Sequence, residues 1–200
     1  WQKALGGEAQ HGMLALSPRA VERLERHTPP WPLPKLFRLV KDGRLNEAIF
    51  RGETINTVSM LCVEDAIDSL RWAESVGGLP ALVARAETNA AALGRWVESA
   101  PWVDFLAADV GVRSTTSVCL KIIDPWFTAM AEAEQRALTK AMAAILEDEM
   151  VGFDIVGHRD APPGLRIWCG ATVETADIES LTPWLDWAYE QVRARETAAA

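Results

Sequence analysis

The sequence has no excess of positive charge and no long apolar run. Its 20 lysines and arginines stand against 28 aspartates and glutamates, which gives a formal net charge of -8. Proteins that hold nucleic acid by its phosphates carry a basic face, so this balance argues against a nucleic-acid partner. The apolar stretches are far shorter than the roughly 20 residues that cross a membrane, and no segment has the layout of a signal peptide. These absences predict a cytoplasmic protein without a membrane partner.

Cysteine is also scarce. Cys62, Cys119 and Cys169 are widely separated, and the sequence contains no C-x-x-C pair that would mark a metal site. We therefore expect buried free thiols and no metal. Tryptophan, by contrast, occurs nine times, and we expect most of these rings in the core or at an interface.

The order of periodic segments predicts a small sheet covered by helices. Ser17 and Pro18 mark the start of a first helix, and four prolines between positions 29 and 34 predict an irregular segment that turns at KDG. Further helices are predicted at 59–76, 79–99, 131–150 and 174–196. Strands are predicted at 12–17, 103–107, 116–124, 151–157 and 164–170.

Lys3 is the first candidate for chemistry. A lysine amine attacks carbonyl carbons when burial or a nearby positive charge keeps it partly neutral. Gly6 and Gly7 follow it and would let the backbone approach a bulky ligand. The alternative is an exposed lysine at a turn.

A second candidate is the stretch GHRDAPPGLRIWCG. His158 and Arg159 precede a Pro-Pro-Gly turn, and Arg166 follows it in an apolar strand where it needs an anionic partner or an exit to solvent. Together they suit a clamp for a small molecule with two anionic groups. Surface salt bridges are the alternative.

Asn56 and Thr57 form the third candidate, because they precede a predicted helix. Amide, hydroxyl and backbone N–H groups near a helix start can hold a phosphate. The same residues can equally be plain helix caps.

These segments together resemble a known family. WQKALGGEAQHGMLALSPRAVERLE, TPPWPLPKLFRL, GETINTVSMLCVEDAIDSL and RDAPPGLRIWCGATVET are similar to phosphoserine aminotransferases of the class V pyridoxal-phosphate-dependent group, in the form typical of alpha-proteobacteria. The similarity runs in register along essentially the whole chain.

The resemblance implies a role for each candidate residue. Lys3 is similar to the family's Schiff-base lysine and Gln2 to the cofactor-contacting glutamine before it. Asn56 and Thr57 resemble the pair that reaches the phosphate of pyridoxal 5'-phosphate from the neighbouring subunit of a homodimer. By the same resemblance, His158 and Arg159 recognise the phosphate or distal carboxylate of the substrate, and Arg166 grips its α-carboxylate.

One position departs from the family pattern. Val58 stands where the family usually has proline after the Asn-Thr pair. Proline would fix the backbone there, so its absence leaves the backbone before the helix less restricted, although no ligand group is lost.

The resemblance also implies the fold: an α/β chain that forms the C-terminal half of a fold type I, aspartate aminotransferase-like transferase. Residues 1–77 are expected to end the large cofactor-binding domain, and residues 78–200 to form the small α/β domain. Trp1 would lie near the middle of a longer chain, whose first half would supply an aspartate, an aromatic residue and further arginines to the site.

The implied reaction is reversible amino transfer between L-glutamate and 3-phosphohydroxypyruvate, which gives O-phospho-L-serine in serine biosynthesis. The 200 residues alone are expected to be inactive. Two alternatives remain: another class V aminotransferase with a different substrate, and a non-catalytic fragment that folds and dimerises.

Overall fold

A computed structural model describes residues 2–8 and 12–199 of the chain. Within it the chain forms two compact units. The first contains Gly6–Arg71, and the second contains Lys3–Leu5 and the residues from Trp72 onward. The division of the chain at residue 77 into parts of two family domains stays a prediction.

The first unit begins with helix α1, Pro18–Arg26. The Ser17 side chain accepts a hydrogen bond from the N–H of Ala20, so the predicted cap and Pro18 start are confirmed. The strand predicted at 12–17 is wrong. Residues 12–17 form no regular structure, because a strand needs a neighbour to pair with and this segment has none among the described residues.

The proline-rich segment is irregular, as its composition predicts, and contains one 3₁₀ turn, Lys35–Phe37. The KDG turn closes a hairpin of β1, Val40–Lys41, and β2, Arg44–Leu45. Asp42 and Gly43 both have positive φ, 53° and 75°, which is the combination that a type I′ hairpin turn requires. A second 3₁₀ turn, Glu47–Arg51, and helix α2, Met60–Ser75, follow.

The second unit is the predicted helix-covered sheet. It contains α3 (Gly78–Ser99), β3 (Val103–Phe105), β4 (Ser117–Ile122), α4 (Pro125–Thr128), α5 (Glu132–Asp148), β5 (Leu165–Trp168) and α6 (Thr175–Ala199). The strands form an antiparallel sheet in the order β3-β4-β5. Helix α4 was not predicted, although Asp124 caps it and Pro125 begins it.

The core of the second unit follows from the period-two pattern of its strands. In β4, Val118, Leu120 and Ile122 are buried while the residues between them are partly exposed. These side chains lie against Leu93 of α3, Met142 and Leu146 of α5, and Leu185 of α6, in one continuous cluster. The sheet therefore has one face covered by helices, and residues on its other face are available for a site.

The strand predicted at 151–157 is largely wrong. Only Val156 makes a bridge, to Leu165. Met150 and Asp154 both have positive φ, 59° and 54°, a left-handed conformation that an extended strand cannot contain. The segment is therefore a turn that places Asp154 beside the end of β5.

A polar cluster at the end of the core uses several of the aromatic residues. Asp186 accepts hydrogen bonds from the indole nitrogens of Trp96 at 2.9 Å and Trp102 at 2.7 Å. The Tyr189 hydroxyl donates to Asp124 at 2.6 Å, and burial together with this bond raises the pKa of Tyr189 to about 12. Trp96 and Trp102 are buried, and Trp126 and Trp187 pack against the core, whereas Trp31 is 68% exposed. The expected core role of tryptophan is therefore met only in part.

The three cysteines are free thiols, as predicted; Cys62 and Cys169 are buried and Cys119 is half-buried. Burial raises the pKa of the Cys169 thiol to about 12. In the described part of the chain no helix is long and apolar enough to span a membrane.

Candidate active site

Arg166 projects from the open side of the sheet. In β5 the side chains of Leu165 and Ile167 enter the core, so Arg166 between them points to the opposite face, with its side chain 29% exposed. Its Nη2 donates to Oδ2 of Asp154 at 2.6 Å. The predicted need for an anionic partner is thus met within the chain by Asp154, in its left-handed turn.

His158 and Arg159 lie on an exposed turn that immediately precedes β5. The N–H of Ala161 donates to the carbonyl of His158 at 2.9 Å and closes the turn. Nδ1 of His158 accepts from the N–H of Asp160 at 3.2 Å, so this bond leaves the other ring nitrogen unused. Arg159 is 87% exposed, with Nε 3.6 Å from the Asp160 carboxylate.

Two glycines close the base of this turn. The N–H of Gly157 donates to the carbonyl of Gly164 at 3.1 Å. A Cβ on Gly164 would lie 2.2 Å from the carbonyl oxygen of Leu120 in β4, and backbone cannot move away as a flexible side chain can. Gly164 therefore lets the base of the turn lie directly against β4.

We expect Gly164→Ala to lower the free energy of unfolding by about 3 kcal/mol, because overpacking against backbone forces the strands apart. Urea unfolding measures the change. Gly94→Ala is the matched control: its new Cβ would meet only Cζ of Phe105 at 3.8 Å inside α3, so it should stabilise by up to about 1 kcal/mol. Equal changes in the free energy of unfolding for Gly164→Ala and Gly94→Ala would contradict the close approach at Gly164.

Helix α5 lies beside the turn and adds cations to it. A pocket of about 290 Å³ is lined by residues of both the helix and the turn. Its basic lining residues are Arg136, Lys140, His158 and Arg159, and its other lining residues are Thr139, Val156, Gly157, Pro162, Pro163 and Gly164. An arrangement of four basic side chains around one small pocket suits a phosphate or a carboxylate.

Arg136 also bonds directly to the turn. Its Nη2 donates to the carbonyl oxygen of Ala161 at 2.8 Å and its Nη1 to that of Arg159 at 3.4 Å. Nε and Nη2 also donate to Oε1 of Glu132, at 3.0 and 2.7 Å. The guanidinium thus joins α5 to the backbone that carries His158 and Arg159.

The other predicted site residues lie elsewhere in the chain. Gln2 and Lys3 are exposed, with Lys3 in a turn that is followed by Gly6 at a φ of 70°. Asn56 and Thr57 are exposed in the non-helical residues before α2. There the Thr54 hydroxyl donates to the carbonyl of Asn56 at 2.7 Å and Ser59 caps the helix, so the helix cap does not use Asn56 or Thr57.

No protein-family model matches the chain. Individual relatives do: it is 53% identical over 193 residues to the phosphoserine aminotransferase of Methanosarcina mazei, and 52% identical over 193 residues to that of Methanosarcina barkeri. In each case the match covers 96% of this chain and 50% of the relative. The chain belongs to the phosphoserine aminotransferase family.

The chain spans about half the length of these relatives, which fits the predicted correspondence to the C-terminal half of a phosphoserine aminotransferase. The alpha-proteobacterial type stays a prediction.

Solved phosphoserine aminotransferases share the fold. The enzyme from Bacillus circulans subsp. alkalophilus matches with a TM-score of 0.58 at 21% identity, over 76% of this chain and 38% of that one. A pyridoxal-phosphate-bound enzyme from Trichomonas vaginalis matches with a TM-score of 0.57 at 17% identity, over 69% and 36%. The predicted fold type I architecture is confirmed.

Three residues of the candidate site were not predicted from the sequence. Arg136 and Lys140 line the pocket, and Asp154 contacts Arg166. The i, i+4 spacing of Arg136 and Lys140 does predict one basic helix face. The sequence offers no signal that this helix face meets the turn that carries His158 and Arg159. Asp154 was missed because its segment was assigned to a strand.

Proposed function

We propose that the chain forms part of a phosphoserine aminotransferase active site, which transfers an amino group between L-glutamate and 3-phosphohydroxypyruvate in serine biosynthesis. The observation that carries the proposal is the 53% identity to the Methanosarcina mazei enzyme across 96% of this chain. The pocket lined by Arg136, Lys140, His158 and Arg159 supports it, because both substrates carry a second anionic group in addition to the α-carboxylate.

The residues of this chain fit pyridoxal 5'-phosphate. Lys3 presents an exposed amine in a turn, which is the group that would hold the cofactor's aldehyde carbon, with Gln2 beside it. Asn56 and Thr57 offer exposed amide and hydroxyl groups suited to its phosphate. When bound, the cofactor supplies the electron sink for the reaction.

The proposed work of the protein residues is binding and proton transfer. Arg166 would bind the α-carboxylate with the donors that Asp154 leaves free, and so orient the Cα–H bond. Nζ of Lys3 would take the proton from Cα and return it to the product. His158 and Arg159 would hold the second anion, a carboxylate in glutamate and a phosphate in the keto acid, so one pocket serves both substrates.

The setting of the enzyme is part of the proposal. We infer a homodimer, in which Asn56 and Thr57 serve the neighbouring subunit's cofactor, and a cytoplasmic location. The large-domain part would end near residue 77, with the small domain following it. The proposal includes neither nucleic acid nor metal.

The test is a substrate panel on the full-length protein loaded with pyridoxal phosphate. Glutamate with 3-phosphohydroxypyruvate should give 2-oxoglutarate and phosphoserine, with kcat/KM about 100-fold above that for a keto acid without a second anion, since such an acid cannot form the charge-assisted hydrogen bonds to His158 and Arg159. Pyruvate serves as the matched acceptor. Preference for pyruvate would instead favour another class V aminotransferase.

A non-catalytic, dimerising fragment is the second candidate function. The first unit exposes large apolar side chains, among them Leu61 at 77%, Met13 at 72% and Trp31 at 68%, and exposed apolar surface favours association. The 200-residue chain, mixed with pyridoxal phosphate and reduced with borohydride, should show no amino transfer by itself. Substantial transfer would contradict the need for the other half of the protein.

A further inference from the structure

The turn that carries His158 and Arg159 has one side-chain attachment to the body of the second unit. Among the described residues, Arg136 is the only side chain from outside positions 158–163 that hydrogen-bonds to them. The remaining bonds are internal, between Ala161 and His158 and between Asp160 and His158. The turn is otherwise held at its base, by Gly157 and Gly164.

The two edges of the Arg136 guanidinium do different work. The Nε–Nη2 edge lies on Oε1 of Glu132, one helical turn earlier. The Nη1–Nη2 edge spans the carbonyls of Arg159 and Ala161. Because the guanidinium is planar, holding one edge fixes the direction of the other.

The carbonyls that Arg136 holds set the direction of the His158 and Arg159 side chains. The Arg159 carbonyl is part of the backbone from which its own exposed side chain projects, and the Ala161 N–H closes the turn on His158. The Arg136 side chain is only 35% exposed, so water screens these bonds less than it screens those of a fully exposed pair. Release of Arg136 would leave His158 and Arg159 on a turn tethered only at its base.

We propose that Arg136 is a positioning residue, which holds the His158–Arg159 turn in the conformation that binds the substrate's second anionic group. Glu132 in turn orients Arg136. The inference rests on the proposed function for the identity of the substrate, and on the hydrogen bonds of this structure for the role of Arg136. It does not require Arg136 to touch the substrate.

The experiment compares Arg136→Gln, Arg136→Lys and the control Arg95→Gln in the full-length protein. Arg95 forms an exposed surface pair with Glu179 at 3.2 Å, away from the pocket lining. Arg136→Gln should raise KM for 3-phosphohydroxypyruvate about tenfold, the effect of losing two hydrogen bonds that orient a binding group, with kcat changed by less than about threefold. Arg136→Lys keeps the charge but lacks the two donor edges of the guanidinium, so its KM should lie between those of the wild type and Arg136→Gln. Arg95→Gln should change neither constant.

Amide hydrogen exchange supplies a readout that does not depend on activity. In Arg136→Gln, exchange should accelerate about tenfold in the peptide covering residues 157–163 and stay unchanged in α3. Inorganic phosphate should slow exchange of this peptide in the wild type, and less so in the variant. Faster exchange together with the KM increase supports positioning.

Several outcomes would contradict the positioning role or the proposed function. A raised KM with unchanged exchange would mean that Arg136 binds the anion directly, and would overturn the positioning role. Unchanged KM and exchange would overturn it as well. If the wild type forms no phosphoserine, the proposed function fails, while exchange of residues 157–163 still decides the role of Arg136. If Arg136→Gln does not fold, Glu132→Ala replaces it, because it removes the carboxylate that orients the guanidinium. This variant should raise KM and accelerate exchange of residues 157–163, both to a smaller extent. No change in either quantity would overturn the inference.

Discussion

Replacing Lys3 with alanine in the full-length protein is expected to lower amino transfer by about 10⁴-fold or more. The proposed reaction needs one amine both to hold the cofactor and to carry the α-proton, and general acid–base catalysis alone contributes up to about 10⁴-fold. Steady-state assay of phosphoserine formation measures the loss. The visible absorbance of lysine-bound cofactor should disappear with it.

The control for this change is Lys41→Ala, which removes another exposed lysine from the β1–β2 hairpin and should leave the rate unchanged. Borohydride reduction of the wild type followed by peptide mass analysis should place the cofactor on Lys3. Amino transfer that survives Lys3→Ala, or cofactor trapped on a different lysine, would end the assignment of Lys3.

Local sequence signals predicted those parts of the fold that depend on neighbouring residues. Ser17 and Pro18 start α1 because a cap and a fixed φ act within one turn. The strand predicted at 116–124 is found as β4, because its residues are apolar at every second position and a strand presents every second side chain to the core. These elements could be read without knowing what they contact.

The sequence could not predict elements that depend on distant partners or on single backbone angles. Residues 12–17 are apolar enough for a strand but find no neighbour in the described chain. Residues 151–157 look extended, yet Asp154 takes a φ of 54° and pairs with Arg166. Both errors come from assigning structure by pattern where pairing and turn geometry decide it.

The candidate site divides in the same way. His158, Arg159 and Arg166 could be associated from the sequence, because a turn of few residues separates them. The link from Arg136 to this turn crosses 23 and 25 positions and depends on how α5 packs on the sheet, which no local pattern encodes. The roles of Gln2, Lys3, Asn56 and Thr57 came from the family resemblance and stay predictions.

Arg166→Lys is expected to raise KM for both glutamate and 3-phosphohydroxypyruvate about 30-fold. A carboxylate binds arginine through two parallel hydrogen bonds, whereas an ammonium is a point charge without that fork. The loss of a charge-assisted hydrogen bond of this kind corresponds to about 2 kcal/mol. Because both substrates carry an α-carboxylate, the increase should be similar for the two, and initial-rate measurements over both concentrations test this.

Asp154→Asn is the matched variant, since asparagine tolerates the left-handed backbone at this position while it removes the anion that contacts Arg166. A guanidinium freed from a competing carboxylate should bind the substrate carboxylate at least as well, so KM should fall or stay constant. The two variants therefore move KM in different directions if Arg166 grips the substrate. If Asp154→Asn raises KM as much as Arg166→Lys does, the ion pair serves the structure of the turn, and the α-carboxylate must be bound by another residue.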